Sequence, residues 1–215
     1  MKKTQIIILL VILASFAVSI FFYPQMPNEM ASHWNAQGEV DGYTSRFWET
    51  FLLPFTMIIL ALFFAIIPKI DPLKENIEKF RKYFDGFIIL FLVFMLLVHF
   101  QIILWNFGIQ ISPNTIMPIA IGFLFFYIGI LLKNAKRNWF IGIRTPWTLS
   151  SENVWNKTHK IGAKLFKIAG IISIIGVFFQ SYSIFFILIP TFFTAFYLIV
   201  YSYFEYQKEK KNDKF

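Results

Sequence analysis

Between Ile6 and Tyr23 the sequence contains no charged residue, and long apolar stretches of this kind recur along the chain. A bilayer core about 30 Å thick needs roughly 20 such residues per helix. Trp48–Ile67 holds only Glu49, at its edge, and Phe87–Phe107 holds His99 and Gln101. Ile116–Leu132 is short but unbroken, and Ile184–Tyr203 is interrupted only by Pro190. The run Ile168–Phe179 is too short by itself. It reaches span length by starting near Ile161, with Lys164 and Lys167 reaching back to the headgroups. Without it there are five spans, with it six.

Composition agrees. The chain of 215 residues is 57% hydrophobic and 15% charged, against about 45–50% and about 25% in an ordinary soluble domain. Disorder, a disulfide scaffold and a nucleic-acid-binding domain are thereby excluded, and the absence of Cys removes thiolate chemistry and Cys-based metal sites. The net charge of +8 belongs to the membrane surface, because of where the basic residues fall. With six spans, every Lys and Arg except Arg46 lies on one side. Five spans would strand either the tail lysines or those between Lys133 and Lys167. The positive-inside rule then sets both termini in the cytoplasm.

The expected fold is an all-α polytopic membrane protein of six helices. A cytoplasmic interfacial amphipathic helix precedes span 5. Residues 1–67 carry spans 1 and 2 with an extracytoplasmic loop at 24–47. Residues 68–133 carry a cytoplasmic loop with spans 3 and 4. Residues 134–215 carry an inner-interface motif, spans 5 and 6 and a basic tail. Ala17-Val18-Ser19 offers a cleavage pattern, but the apolar run continues through Tyr23, as a retained span does. Ser15/Ser19, Ala61/Ala65 and Ala169/Ser173 are small-residue pairs at helix-contact spacing.

Three polar places stand out. The loop Pro24–Phe47 has two prolines, then His33-Trp34-Asn35, Gly38 and Asp41-Gly42. These turn residues predict a compact, ordered loop. Glu29, Glu39, Asp41 and Glu49 against Arg46 make it acidic, suited to a cationic ligand. His33 with Glu29 and Asp41 matches no established metal spacing, and no metal is expected. Trp34 and Tyr43 also suit anchoring at the headgroups.

The second place is Asn138–Trp147, where Gly142, Arg144, Thr145, Pro146 and Trp147 follow one another closely. Thr145 precedes a proline and is extended. Ser150 or Ser151 caps a helix that begins with Glu152. Along that helix Trp155, His159, Gly162 and Phe166 form one stripe, and Lys157, Lys160, Lys164 and Lys167 the opposite one. One account is a membrane-surface helix with lysines toward lipid phosphate. The other places Arg144 beside the capped N-terminus as an anion site for Glu152, a lipid phosphate or a partner's carboxylate. The third place is His99, expected as a neutral histidine bonding a neighbouring helix.

No HExxH, GxSxG, P-loop or GxGxxG occurs, so no catalytic residues, cofactor or enzyme activity are expected. A lipid-modifying site built on Arg144, Glu152 and His159 is the one cluster left open.

The stretch Asn138–Leu149, with Trp155, His159 and Gly162, resembles the signature of the SdpI family, bacterial immunity proteins of the sporulation-delay toxin system. Pro27, His33-Trp34-Asn35, Gly38 and Asp41-Gly42 are similar to the domain of unknown function at the N-terminus of many members. The resemblance implies a six-helix plasma-membrane protein that protects its cell against a secreted peptide toxin; with the acidic outer loop, the expected toxin is a cationic peptide. It also implies signalling, by holding a cytoplasmic ArsR-type repressor at the membrane, with no direct nucleic-acid contact. Membrane lipids are its other expected partners. The alternative is a transporter of lipids or small solutes.

Overall fold

The computed structural model describes residues 3–212. Lys2 and Lys214, which add to the charge asymmetry, lie outside the described residues. The chain runs α1 (Lys3–Phe22), β1 (Glu29–Trp34), β2 (Val40–Ser45), α2 (Arg46–Ile70), α3 (Lys74–Lys79), α4 (Arg81–Asn106), α5 (Pro113–Asn134), α6 (Pro146–Ser150), α7 (Glu152–Ile175) and α8 (Ser183–Asn212). Five helical stretches are long and apolar enough to cross a membrane: Lys3–Gln25, Arg46–Ile70, Arg81–Asn106, Pro113–Asn134 and Glu152–Asn212. Large apolar side chains stay exposed along them, among them Leu10, Phe21, Leu62, Phe123, Phe192 and Phe196. Such surface is stable only against lipid or another apolar partner.

The last stretch reverses direction. At Phe179 and Gln180 the backbone leaves the helical region, and α8 returns along α7. Ser173 of α7 meets the carbonyl of Phe186, while Lys157 meets Glu205 and Ser151 meets Glu209 at the opposite end. The two helices therefore form an antiparallel hairpin.

Local chemistry sets the helix boundaries. Ser112 caps α5 by accepting from the N–H of Asn114 at 3.2 Å, and Pro113 occupies the first turn. After α4, Gly108 at φ 101° takes the left-handed conformation that ends a helix. Pro54, Pro68, Pro118 and Pro190 lie within helices, where packed neighbours make the interrupted hydrogen bonding tolerable.

α1 packs on α4 through fully buried Ser15 and Ser19. The Ser19 hydroxyl lies 2.7 Å from the carbonyl of Thr50 and 3.0 Å from Nε2 of His99, joining α1, α2 and α4. His99 is thus the inter-helix histidine expected from sequence. α5 and α7 approach closest. A Cβ on Gly170 would lie 2.5 Å from the carbonyl oxygen of Gly122, and one on Gly129 would lie 2.6 Å from that of Ala163. Gly122 and Gly129, like Ala163 and Gly170, are two turns apart, so each pair shares one helix face. Of the anticipated small-residue pairs, Ser15/Ser19 and Ala169/Ser173 are buried, while Ala65 is exposed.

Two expectations change. The loop after α1 is not merely compact but contains a two-stranded antiparallel sheet, β1 against β2. The interfacial helix does not exist as a separate element. α7 runs unbroken from Glu152 to Ile175, because nothing in that stretch disrupts it and Trp155, His159 and Gly162 are buried against the bundle.

Candidate functional sites at the two ends of the bundle

The hairpin crowns the end where α1 and α4 stop. Met30 is fully buried with Met26 and Ile103, and Val18 and Phe22 pack around them. Asn106, at the last position of α4, holds Ala31 by both backbone groups. Its Oδ1 accepts from the Ala31 N–H at 2.7 Å, and its Nδ2 donates to the Ala31 carbonyl at 3.0 Å. A side-chain amide here replaces a neighbouring strand. The tip is also tied down, since Asn114 Nδ2 donates to the carbonyl of Ala36 at 3.1 Å.

The five hairpin residues singled out from sequence come together. His33 Nδ1 lies 2.5 Å from Asp41 Oδ1, on an exposed face. Trp34 stacks edge-on against Trp105 at 5.4 Å. Asn35 builds the turn, its Oδ1 accepting from the N–H groups of Gln37 and Glu39, both at 3.0 Å. Gly38 has φ 84°, which that turn requires. Glu29 stands opposite Ser45, and His33 opposite Gly42. At about 3.3 Å per strand residue, Glu29 is about 13 Å along the strand from His33. Among the described residues no group of His, Asp and Glu is arranged to hold a metal.

At the other end, the segment after α5 is knotted around Asn138, which is fully buried. Its Nδ2 donates to the carbonyls of Lys136 and Ile141, both at 2.8 Å. Its Oδ1 accepts from the N–H groups of Phe140 at 2.9 Å and Ile141 at 2.6 Å. All four hydrogen bonds open to an amide side chain are made. Gly142 follows at φ 120°, and a Cβ there would collide with His159 Nε2. The glycine lets the chain pass directly over the imidazole.

His159 is stacked on Trp155, ring centroids 3.9 Å apart. Trp155 is completely buried and donates its indole N–H to the carbonyl of Ala135 at 3.0 Å. Gly162, one turn further, is also buried, and any Cβ would strike Ile143 Cδ1. Thr145 caps α6 in a reciprocal box with Thr148, and its hydroxyl meets that of Ser202 on α8 at 3.0 Å. Pro146 starts α6, and Trp147 packs edge-on against Tyr203 at 5.2 Å. The motif therefore joins α5, α7 and α8 into one block.

Arg144, Glu152 and His159 do not converge. Arg144 is exposed and donates Nη1–H to the carbonyl of Trp139 at 2.7 Å. Glu152 is exposed and makes no hydrogen bond or ion pair among the described residues. It precedes His159 by two helical turns, roughly 10 Å. The cap of α7 belongs to Ser151, whose Oγ accepts from Val154 N–H at 3.2 Å. The lysine stripe is not uniformly free for lipid: Lys157 pairs with Glu205 at 2.9 Å, and Lys167 lies over the ring of Phe126.

Sequence reasoning missed the groups that reach the motif from elsewhere. Asp71, buried between α2 and α3, accepts the N–H of Trp139 at 2.8 Å. Asn76 donates to the carbonyl of Arg137 at 2.9 Å. Glu209 receives both Ser151 and Asn153. Only the Asp71-Pro72 turn left a trace in the sequence, and it carried no hint of its partner.

Residues 134–202, the knot together with most of the α7–α8 hairpin, match the SdpI/YfhL protein family. This part of the chain is similar to that family. Residues 10–58 match a domain of unknown function (DUF1648) and span the second half of α1, the hairpin and the start of α2. The chain is 26% identical over 183 residues to the protein named immunity protein SdpI of Bacillus subtilis (strain 168), covering 85% of this chain and 86% of that one. No solved structure matches. With its apolar helices, the SdpI-like chain is a multi-pass membrane protein.

Proposed function

We propose that the chain is a non-enzymatic immunity protein of the bacterial plasma membrane, protecting its cell against a secreted cationic peptide toxin. The observation that carries this is the likeness to immunity protein SdpI across 85% of the chain, which takes in both ends of the bundle. Six crossings with both termini in the cytoplasm fit the α7–α8 reversal and the basic residues gathered at the motif end. In this orientation the hairpin faces outward. Glu29, Glu39 and Asp41 lie on it, and the ordered turn presents them on a fixed frame. Electrostatic complementarity favours a cationic peptide there.

The motif block faces the cytoplasm, and its exposed Arg144 and Glu152 form the docking surface for a partner, an ArsR-type repressor. Toxin at the hairpin shifts the bundle toward the state that binds this partner, which requires differential affinity for two states. The separation of Arg144, Glu152 and His159 speaks against a catalytic cluster and favours docking.

The test is survival of a toxin-sensitive bacterium expressing the chain, challenged with secreted membrane-active peptides. Arg144→Ala and Asp41→Ala are compared at equal membrane abundance. Protection by the unaltered chain, lost with Asp41→Ala, supports hairpin recognition. Retained survival with loss of reporter induction in Arg144→Ala supports separate signalling at the motif. No protection against any peptide overturns the immunity reading.

A further inference from the structure

Arg144 stands at the mouth of an apolar cleft. The cavity, about 370 Å³, lies between α2 and α5, which flank α4. Phe63 and Ile67 of α2, Phe87 of α4 and Ile128 of α5 line it, and the loop Phe140–Arg144 closes its motif end. Arg144 is the single charged residue in that lining. It is held at the rim by its bond to the Trp139 carbonyl, and its remaining N–H donors have no partner among the described residues.

The chemistry of this cleft is that of an amphipath with one anionic head. The walls belong to membrane-spanning helices, so the apolar part of the occupant comes from the bilayer. The cleft is too apolar to retain a free anion or a hydrated solute. A guanidinium fork matches phosphate oxygens bidentately, and the basic ends of α2 and α5, with Lys69 and Lys133, attract anionic lipid to this surface. Half-exposed Trp139 beside Arg144 suits the same headgroup depth.

We infer that the cleft is a binding site for an anionic phospholipid, one acyl chain between α2 and α5 and the phosphate on Arg144. The site is independent of toxin recognition at the hairpin, but it uses the same Arg144 as the proposed docking surface, so lipid and partner compete for that side chain. It makes the position of the Phe140–Arg144 loop depend on lipid, because a seated chain supports Phe140 and Ile141 from below.

The test uses the full chain, purified in detergent and stripped of lipid. Retention of phosphatidylglycerol and of diacylglycerol with identical acyl chains, which lacks the phosphate, is measured by native mass spectrometry, with glycerol phosphate as the tail-less probe. The expected result is a preference of about tenfold or more for phosphatidylglycerol, lost in Arg144→Gln, with no binding of the tail-less probe. Ile128→Trp, which fills the cleft and leaves Arg144 in place, lowers retention of both lipids. Equal retention of the two lipids by the unaltered chain overturns the proposal, as does binding of glycerol phosphate as strong as that of the whole lipid. If Arg144→Gln fails to fold, Ile128→Trp decides: unchanged retention of phosphatidylglycerol overturns the site.

Discussion

The backbone N–H of Ile143 donates to Nε2 of His159 at 3.0 Å, while Nδ1 of the same ring faces the carbonyl of Trp155 at 2.9 Å. One nitrogen accepts and the other donates, which is the bonding pattern of a neutral imidazole. The histidine is therefore a bracket between the knot and α7. His159→Phe keeps the stacked shape over Trp155 but leaves a buried N–H and a carbonyl without this partner. We predict a loss of about 1–3 kcal/mol, read from denaturant unfolding in detergent micelles. An unchanged midpoint would show that the bracket contributes nothing to stability.

Replacing glycine by alanine inside a helix normally stabilises it by about 1 kcal/mol. At Gly170 the sign is expected to reverse. The new methyl would meet the Gly122 carbonyl oxygen at 2.5 Å and the Phe126 nitrogen at 2.8 Å, both backbone atoms that cannot rotate away. Forcing α5 and α7 apart costs about 1–3 kcal/mol. Gly170→Ala should lower the thermal midpoint of the purified protein, and a raised midpoint would contradict the close crossing.

Asn106 holds the hairpin through two hydrogen bonds to one residue of β1. Asn106→Leu has similar size and no polar atoms. Exchange of the amide of Ala31 should accelerate about tenfold or more, while amides in the middle of α4 keep their protection. Hydrogen exchange followed by mass spectrometry separates the two. Uniform protection across both segments would mean that Met30 and its apolar neighbours hold the hairpin alone.

Not every visible contact matters equally. Lys157 reaches Glu205 at 2.9 Å, but its side chain is 50% exposed, and Glu205 keeps a second partner, Lys208, at 3.1 Å. Glu205 is itself buried, but Lys208 still neutralises it when Lys157 is lost, so the loss is on the scale of an exposed pair, about 0–1 kcal/mol. Lys157→Met should therefore change stability by less than about 1 kcal/mol, well below the effect of His159→Phe in the same assay. A larger loss would mean that the α7–α8 clasp depends on this pair.

The spans were legible because a membrane imposes length and apolarity directly on the sequence. Ile6–Tyr23 falls on α1 and the residue that follows it, and Ile184–Tyr203 lies inside α8. The hairpin was harder. Glu29, Met30, Ala31 and Ser32 are weak strand formers, and Met30 and Ala31 are buried in succession rather than alternately. Its turn was visible in Asn35 and Gly38; its ladder was not. The motif residues were found as a string, but their purpose was not. Gly142 matters because His159 lies beneath it, and Thr145 because Ser202 meets it, contacts made across 16 or more residues. Trp155 and His159 were placed on one stripe correctly, and that stripe is buried against protein. The α5–α7 seam went unread because its small residues repeat at seven, where the sought spacing was four.

α4 joins the two ends without a break. Its 26 residues extend about 39 Å. At one tip Asn106 grips Ala31. Near the other, Asp85 receives Arg81 at 2.6 Å and the Thr4 hydroxyl at 3.2 Å. A pull on the hairpin has no slack loop to take it up; it travels along a stiff rod to the first turn of α1. Under the proposed function, sensing at one face and response at the other need no moving relay of side chains, only a strut that tilts.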